Sequence, residues 1–262
     1  MEELLFNPLF YLVAIPAVMV FGISKAGFGG IFGVLSVPIM SVIISPALAA
    51  AILLPLLIMM DVIVIYQYRR SFNRQYLFIL IPFAAFGVLL GYFTVSTFSE
   101  NDLRLLVGVI AVSFGVHSLY SARQSKATNS TNTSTAKIST IIDRFSGFIW
   151  GSISGFTSFH VHAGGPPASV YLLPKNMKPI IYAGTTGIYF SVINFIKLPA
   201  YLANGQITKE TLLVSATLIP FVPISVAIGY RLVQKIEVSS YYTLISTVLI
   251  LLGAQMIYVA LV

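Results

Sequence analysis

Apolar runs, many of them as long as a bilayer is thick, set the terms on which this chain can fold. They fall roughly at 8–24, 28–44, 46–68, 75–98 and 101–121, and again at 146–163, 166–174, 179–197, 210–230 and 238–262. Crossing hydrocarbon as a helix takes about 20 residues. The alternative is a soluble protein with a large core, and composition removes it. Of the 262 residues, 57% are hydrophobic and 9% charged, against about a quarter charged in a soluble domain. Too little polar surface remains to coat a water-facing globule. The chain is expected to be an all-α polytopic membrane protein.

Two absences narrow the chemistry. There is no cysteine, which excludes disulfides, thiolate catalysis and cysteine-held metals. The N-terminal "MEELLFNPLF" carries two acids where a signal peptide has a basic region, so the first apolar run is read as part of the mature protein. The formal charge of +7 could suit nucleic acid or acidic lipid. In a membrane chain it is read instead as orienting charge in cytoplasmic loops, and no nucleic-acid partner is expected.

A Ser/Thr/Asn-rich interval, "ARQSKATNSTNTSTAKIST", separates two halves of similar plan. It lacks apolar periodicity and reads as a flexible linker. The expected division is a first repeat at 1–121, a polar cytoplasmic linker at 122–144 and a second repeat at 145–262, all within one transmembrane domain. The halves also match locally, in "FGISKAGFGGIFGVLSVPIM" and "GFTSFHVHAGGPPASVYLL". Setting Gly29-Gly30 on Gly164-Gly165 puts Lys25 opposite His160. In each half a Gly/Pro-broken apolar pair is followed by three longer runs. Interrupted segments at matching positions of an internal repeat are a sign of transporter folds.

The basic residues orient the chain. Arg69, Arg70, Arg74, Arg123, Lys126, Lys137, Arg144, Lys175, Lys178, Arg231 and Lys235 make up 11 of the 15 lysines and arginines, and one threading puts all of them on one side. Glu2, Glu3, Glu100, Asp102 and Glu210 fall on the other. Each broken pair must then dip into the membrane and return, or cross twice. The second half becomes inverted relative to the first. The positive-inside bias makes the basic side cytoplasmic and leaves both termini outside, in a multi-pass protein of the plasma (inner) membrane. Two sequons at Asn129 and Asn132 then lie in the cytoplasm, where they carry no meaning.

The limbs around Lys25–Gly30 and Ser158–Pro167 read as 15–17 residues or fewer, short for an upright span. Irregular backbone at membrane depth is tolerated only where protein or a water-filled cavity surrounds it. Two re-entrant hairpins are therefore expected, one from each face, with tips near the midplane. A new helix should start after each Gly-Gly, and Pro166 and Pro167 suit its first turn. Each tip would aim a helix N-terminus, with free N–H groups, at the membrane centre.

Lys25 adds a charge to the first tip, and His160 or His162 can add one to the second. If that tip is extended, the two histidines share a side. The expected anion-binding set is Ser24, Lys25, Gly27, Gly29, Gly30, His160, His162, Gly164, Gly165 and Asn194. The plainer reading has the histidines satisfying tip carbonyls and the glycines serving close helix packing. For Lys25 the functional reading prevails, because ionisable groups inside the membrane are costly.

Asp61 lies within the third run and can pair with Lys25, carry a proton or bond to helix ends. Asp61 and His160 are the candidates for ion pairing or coupling. Lys197 is read as snorkelling to the outer interface. Thr185 and Thr186 are read as packing hydroxyls bonded to their own helix, and His117 as meeting headgroups or water. H-x-H without nearby carboxylates offers too few ligands for a metal, and no metal or cofactor is expected.

Together these features resemble the sulfite exporter TauE/SafE family of membrane permeases. The likeness rests on "GISKAGFGGIFGVLSVPIM" followed by "ALAAAILLP", and on "GFTSFHVHAGGPP" followed by "AGTTGIYFSVINFIKLPAYLANGQI". It covers nearly the whole chain in order. At the tips, Ile31 and Pro166 stand where that family often has a third glycine. The resemblance implies transport of sulfite, of organosulfonates such as sulfoacetate, or of other small sulfur-containing anions.

The leading expectation is thus a secondary transporter, not an enzyme, working by alternating access around the two tips. A channel would need a continuous polar pore, and no strongly polar helical stripe is present. A membrane enzyme using the His-x-His stretch lacks a nucleophile with base and orienter. Expected partners are a small anion and membrane lipid, with a coupling proton and a second copy of the chain as further candidates. Binding is expected to weaken at alkaline pH, since histidines titrate near ~6.5.

Overall fold

The computed structural model describes residues 5–94, 97–127, 140–203 and 208–261. The two sequons and Lys137 lie outside them. Among the described residues the chain is helical, with no strand. In order it forms α1 (Pro8–Gly27), a 3-10 turn (Ile31–Leu35), α2 (Ser36–Met40), α3 (Pro46–Tyr68), α4 (Arg74–Phe93) and α5 (Glu100–Ala127). Then come α6 (Thr140–Val161), α7 (Gly165–Leu172), a 3-10 turn (Leu173–Lys175), α8 (Pro179–Ala203), α9 (Lys209–Leu218), α10 (Phe221–Lys235) and α11 (Val238–Leu261). The ends of the 122–144 interval belong to helices, since α5 runs on to Ala127 and α6 begins at Thr140.

Among the described residues, six helices are long and apolar enough to cross a membrane: α1, α3, α4, α5, α8 and α11. A seventh candidate is α9 with α10, joined by a 52° bend. The sequence reading took 210–230 as one continuous run. Pro220 caps the start of α10 and Pro223 lies in its first turn. Proline removes an N–H and disfavours helix in the residue before it, and the run breaks there.

The broken pairs are more asymmetric than the sequence implied. α1 has 20 residues and α6 has 22, against the 15–17 or fewer expected for each limb. At 1.5 Å per residue both exceed or match about 30 Å, the full hydrocarbon thickness. The following limbs are short: ten apolar residues at Ile31–Met40, and eight in α7. The helices run on through Gly22, Gly147, Gly151 and Gly155, each of which sits against a neighbouring helix, where an added Cβ would stand 1.8, 2.3, 3.1 and 2.0 Å from the nearest facing atom.

The chain divides into two compact units, and each takes helices from both sequence halves. The first comprises Met1–Leu77 and Met177–Ile236, the second Phe78–Asn176 and Glu237–Val262. In the first unit α1 lies on α10 at very short range. A Cβ on Gly22 would fall 1.8 Å from Ser225 Oγ, and one on Gly27 would fall 2.9 Å from the Gly229 carbonyl oxygen. Lipid gives helices no hydrophobic reason to associate, so small residues and hydrogen bonds hold them. The Ser215 hydroxyl donates from α9 to the Ile52 carbonyl on α3 at 2.7 Å. The Ser36 hydroxyl donates from α2 to the Ala17 carbonyl on α1 at 2.8 Å.

The second unit uses the same device. α5 and α11 meet at Gly108 and Gly253, where an added Cβ on either would lie 2.8 or 2.7 Å from the other's carbonyl oxygen. α4 and α6 meet at Gly87 and Gly155, each with 2.0 Å between an added Cβ and a facing carbonyl oxygen. Asp143 in the first turn of α6 forms an ion pair with Lys175 and accepts from the Tyr171 hydroxyl at 3.1 Å. That ties the start of α6 to the end of the short limb.

Candidate functional site

In the first unit the break begins inside α1, not after it. Ser24, Lys25 and Gly27 are helical residues of its last turn, and all three are buried. A cation suits a helix C-terminus, where the macrodipole is negative. The chain then turns through Gly29 and Gly30, with φ of 66° and 76°, a left-handed region that side chains other than glycine rarely adopt. Space adds to the demand at Gly29, where a Cβ would stand 3.0 Å from the Tyr182 ring.

Ser24 organises this turn. Its carbonyl accepts from the Phe28 and Gly30 N–H groups at 2.8 and 3.0 Å, and its hydroxyl oxygen accepts from the Gly33 N–H at 3.1 Å. Two donors expected to be free at this tip, on Gly30 and Gly33, are therefore engaged. The Tyr68 hydroxyl donates to the Ala26 carbonyl, and its ring meets Tyr230 edge-on at 5.2 Å. The end of α1 is thus capped from α3.

Lys25 pairs with Asp61 of α3 at 2.5 Å, with 2% and 0% of the two side chains exposed. Asn194 of α8 donates its amide to the other Asp61 oxygen at 2.9 Å. Three of the residues singled out by sequence, from three helices, are therefore joined. Lys197 corrects the sequence reading. It is fully buried and does not reach the interface, because α8 continues to Ala203 and leaves it more than a turn inside the helix. It is within electrostatic reach of both Lys25 and Asp61. The signal was available: Asn194 and Lys197 are three apart, on one helix face. Thr185 and Thr186 donate to the carbonyls of Ile181 and Tyr182 on their own helix, as expected. Thr185 also accepts from the Asn73 N–H at 2.9 Å, which anchors the turn before α4.

The second tip lies in the second unit. α6 runs through His160 and stops at Val161. The turn is made at His162, with φ 52°, rather than at Gly164, whose φ of −73° is helical. Histidine is among the side chains that tolerate this region. The tip is therefore not extended, and simple alternation does not put His160 and His162 on one side. α7 starts at Gly165 with both prolines in its first turn, as expected.

The tip carbonyls have partners other than histidine side chains. The Ser154 hydroxyl donates to the Gly164 carbonyl at 2.8 Å, and the Thr157 hydroxyl lies 3.2 Å from the Ala163 carbonyl and 2.8 Å from that of Ile153 on its own helix, which share its one proton. Neither hydroxyl stood out in the sequence. His160 packs against the rings of Phe156 and Phe159, with centroids 4.8 and 5.6 Å away. Its Nε2 is buried without a hydrogen-bond partner among the described residues.

A family model described as Sulfite exporter TauE/SafE matches residues 14–256. No curated protein and no solved structure gives a significant match.

Proposed function

Because the chain belongs to the sulfite exporter TauE/SafE family, whose members are membrane transporters for sulfur-containing anions, we propose that it carries sulfite or an organosulfonate such as sulfoacetate by alternating access. The membrane is the plasma (inner) membrane, and the two broken helix pairs are the gating elements. The observation behind this reading is the burial of Lys25, Asp61, Asn194 and Lys197 in an interior whose other buried polar side chains, among the described residues, are serines and threonines. Ionisable residues are rare within membrane spans, where they mark substrate and ion pathways. Gly27, Gly29 and Gly30 keep the backbone beside Lys25 free of side chains. Gly164, Gly165, His160 and His162 form the corresponding tip of the second unit.

Liposomes containing the purified protein test the reading. Flux of labelled sulfoacetate or sulfite should saturate and be accelerated by unlabelled anion on the opposite face. Single-channel currents would instead favour a pore, and the absence of flux for every sulfur-containing anion tried would reject the assignment.

A further inference from the structure

The turn that joins α3 to α4 in the first unit carries three arginines, Arg69, Arg70 and Arg74, and all three are exposed. None has a carboxylate partner among the described residues. The described part of this unit holds two acids. Asp61 is buried against Lys25. Glu210 precedes Ser215, which bonds the Ile52 carbonyl near the far end of α3. The turn is therefore a concentrated positive charge with no acid beside it.

Its backbone is fixed from several sides. The Ser71 N–H donates to the Tyr68 carbonyl at 2.8 Å. The Asn73 N–H donates to the Thr185 hydroxyl at 2.9 Å, and the Asn73 side-chain oxygen accepts from the Tyr76 N–H at 3.3 Å. Gly184 lets α8 approach, since a Cβ there would fall 2.0 Å from the Ser71 carbonyl oxygen. Helix stability does not account for Arg74, which opens α4, where the macrodipole disfavours a cation.

The arginines also stand where lipid chains end. The candidate span of α3 closes at Tyr68. Met59, Val62 and Tyr66 are exposed, and steps of three and four residues carry them up one helix face to Arg69. The Arg69 guanidinium lies 4.2 Å from the centre of the Tyr66 ring and donates one N–H to the Tyr66 carbonyl at 2.6 Å. A guanidinium has five N–H donors, so most remain for an acceptor outside the chain. The Arg74 guanidinium lies 5.8 Å from the centre of the Phe72 ring. An apolar stripe that ends in arginine matches a phospholipid, chain first and phosphate last.

We propose that this turn seats the phosphate of an anionic phospholipid, with an acyl chain along Met59, Val62 and Tyr66. Guanidinium forks grip two phosphate oxygens at once, which an ammonium does not. Orienting the chain in the membrane needs only positive charge, and lysine serves that as well as arginine. The proposal holds whichever anion the protein carries.

The test uses the purified full chain in a neutral detergent. It is titrated with dioctanoyl phosphatidylglycerol, dioctanoyl phosphatidylcholine and inorganic phosphate, and binding is read by calorimetry. Phosphatidylglycerol should saturate and bind at least about tenfold more tightly than either of the others. Arg69→Gln, Arg70→Gln and Arg74→Gln together should weaken it about 100-fold, the scale for three basic residues at a lipid surface. Lysine at the same three positions keeps the charge and should still weaken it about fivefold or more, the scale of one hydrogen bond. Arg123→Gln, Lys126→Gln and Arg144→Gln together remove equal charge elsewhere and should leave affinity within about twofold.

Wild-type affinity in the lysine variant would overturn the proposal, because diffuse charge would then explain the binding. Equal losses in the two glutamine variants would do the same. Phosphatidylcholine bound as tightly as phosphatidylglycerol would remove the anionic headgroup from the reading. Inorganic phosphate bound as tightly as the lipid would make the turn a site for free anions. Should the glutamine variant at the turn fail to fold, the lysine variant decides alone.

Discussion

Among single residues, His160 has the most conditional role. Its ring lies against two phenylalanines, and its Nε2 is buried without a hydrogen-bond partner among the described residues. A buried polar atom with nothing to bond is costly, so a proton or an anion oxygen arriving there would be welcome. Protonation adds positive charge and should strengthen anion binding, so affinity should rise as pH falls. Replacing His160 and His162 with glutamine should flatten the dependence between pH 5 and 8. Titration calorimetry in buffers of different ionisation enthalpy counts the protons taken up. Zero uptake in wild type would leave the histidines as packing residues. The Ser154 hydroxyl donates to the Gly164 carbonyl at the tip, so the double variant should stay folded.

The helices of this chain were legible in the sequence because lipid forces a simple rule on them: an apolar run of sufficient length closes its own hydrogen bonds. Their interruptions were harder to place. Periodicity cannot tell a glycine that turns the chain from one that admits a neighbour, and both kinds are present. Gly29 and Gly30 turn the chain, whereas Gly22, Gly87, Gly108, Gly155 and Gly253 are contact points inside helices. The burial of Lys197 was missed for a related reason. Its depth depends on α8 running past Pro199 to Ala203, and proline is tolerated in membrane helices more readily than its propensity suggests.

The α5–α11 contact gives a measurable consequence. A side chain at Gly253 would meet the Gly108 carbonyl oxygen at 2.7 Å and Val112 at 2.8 Å. The first obstacle is backbone and cannot rotate away. Gly253→Leu should therefore separate the helices and cost about 1–3 kcal/mol, the scale of overpacking. Leu251→Ala, on a residue 64% exposed, should change stability by less than about 0.5 kcal/mol. Thermal unfolding in detergent compares them, and equal effects from the two substitutions would count against the packing role.

For the molecule as a whole, charge and helix length together constrain the threading. We propose six crossings: α3, α4, α5, α8, the bent α9–α10 pair and α11. The two broken pairs, α1 with α2 and α6 with α7, each return to the face they entered, which requires α1 and α6, long enough to span, to lie tilted so that limbs of ten and eight residues close the return. Six is even, so both termini share a side. The turn at Arg69, Arg70 and Arg74, the stretch around Arg123–Arg144, the Lys175–Lys178 segment and the α10–α11 junction at Arg231 and Lys235 then all face the other side. An excess of lysine and arginine marks the cytoplasm, which puts the termini outside. The native chain has no cysteine, so single-cysteine variants report without background. Ser99→Cys, between α4 and α5, should react with a membrane-impermeant maleimide on intact cells. Ser71→Cys and Ser130→Cys should react only after permeabilisation. Strong external labelling at Ser71 or Ser130 would reverse the orientation.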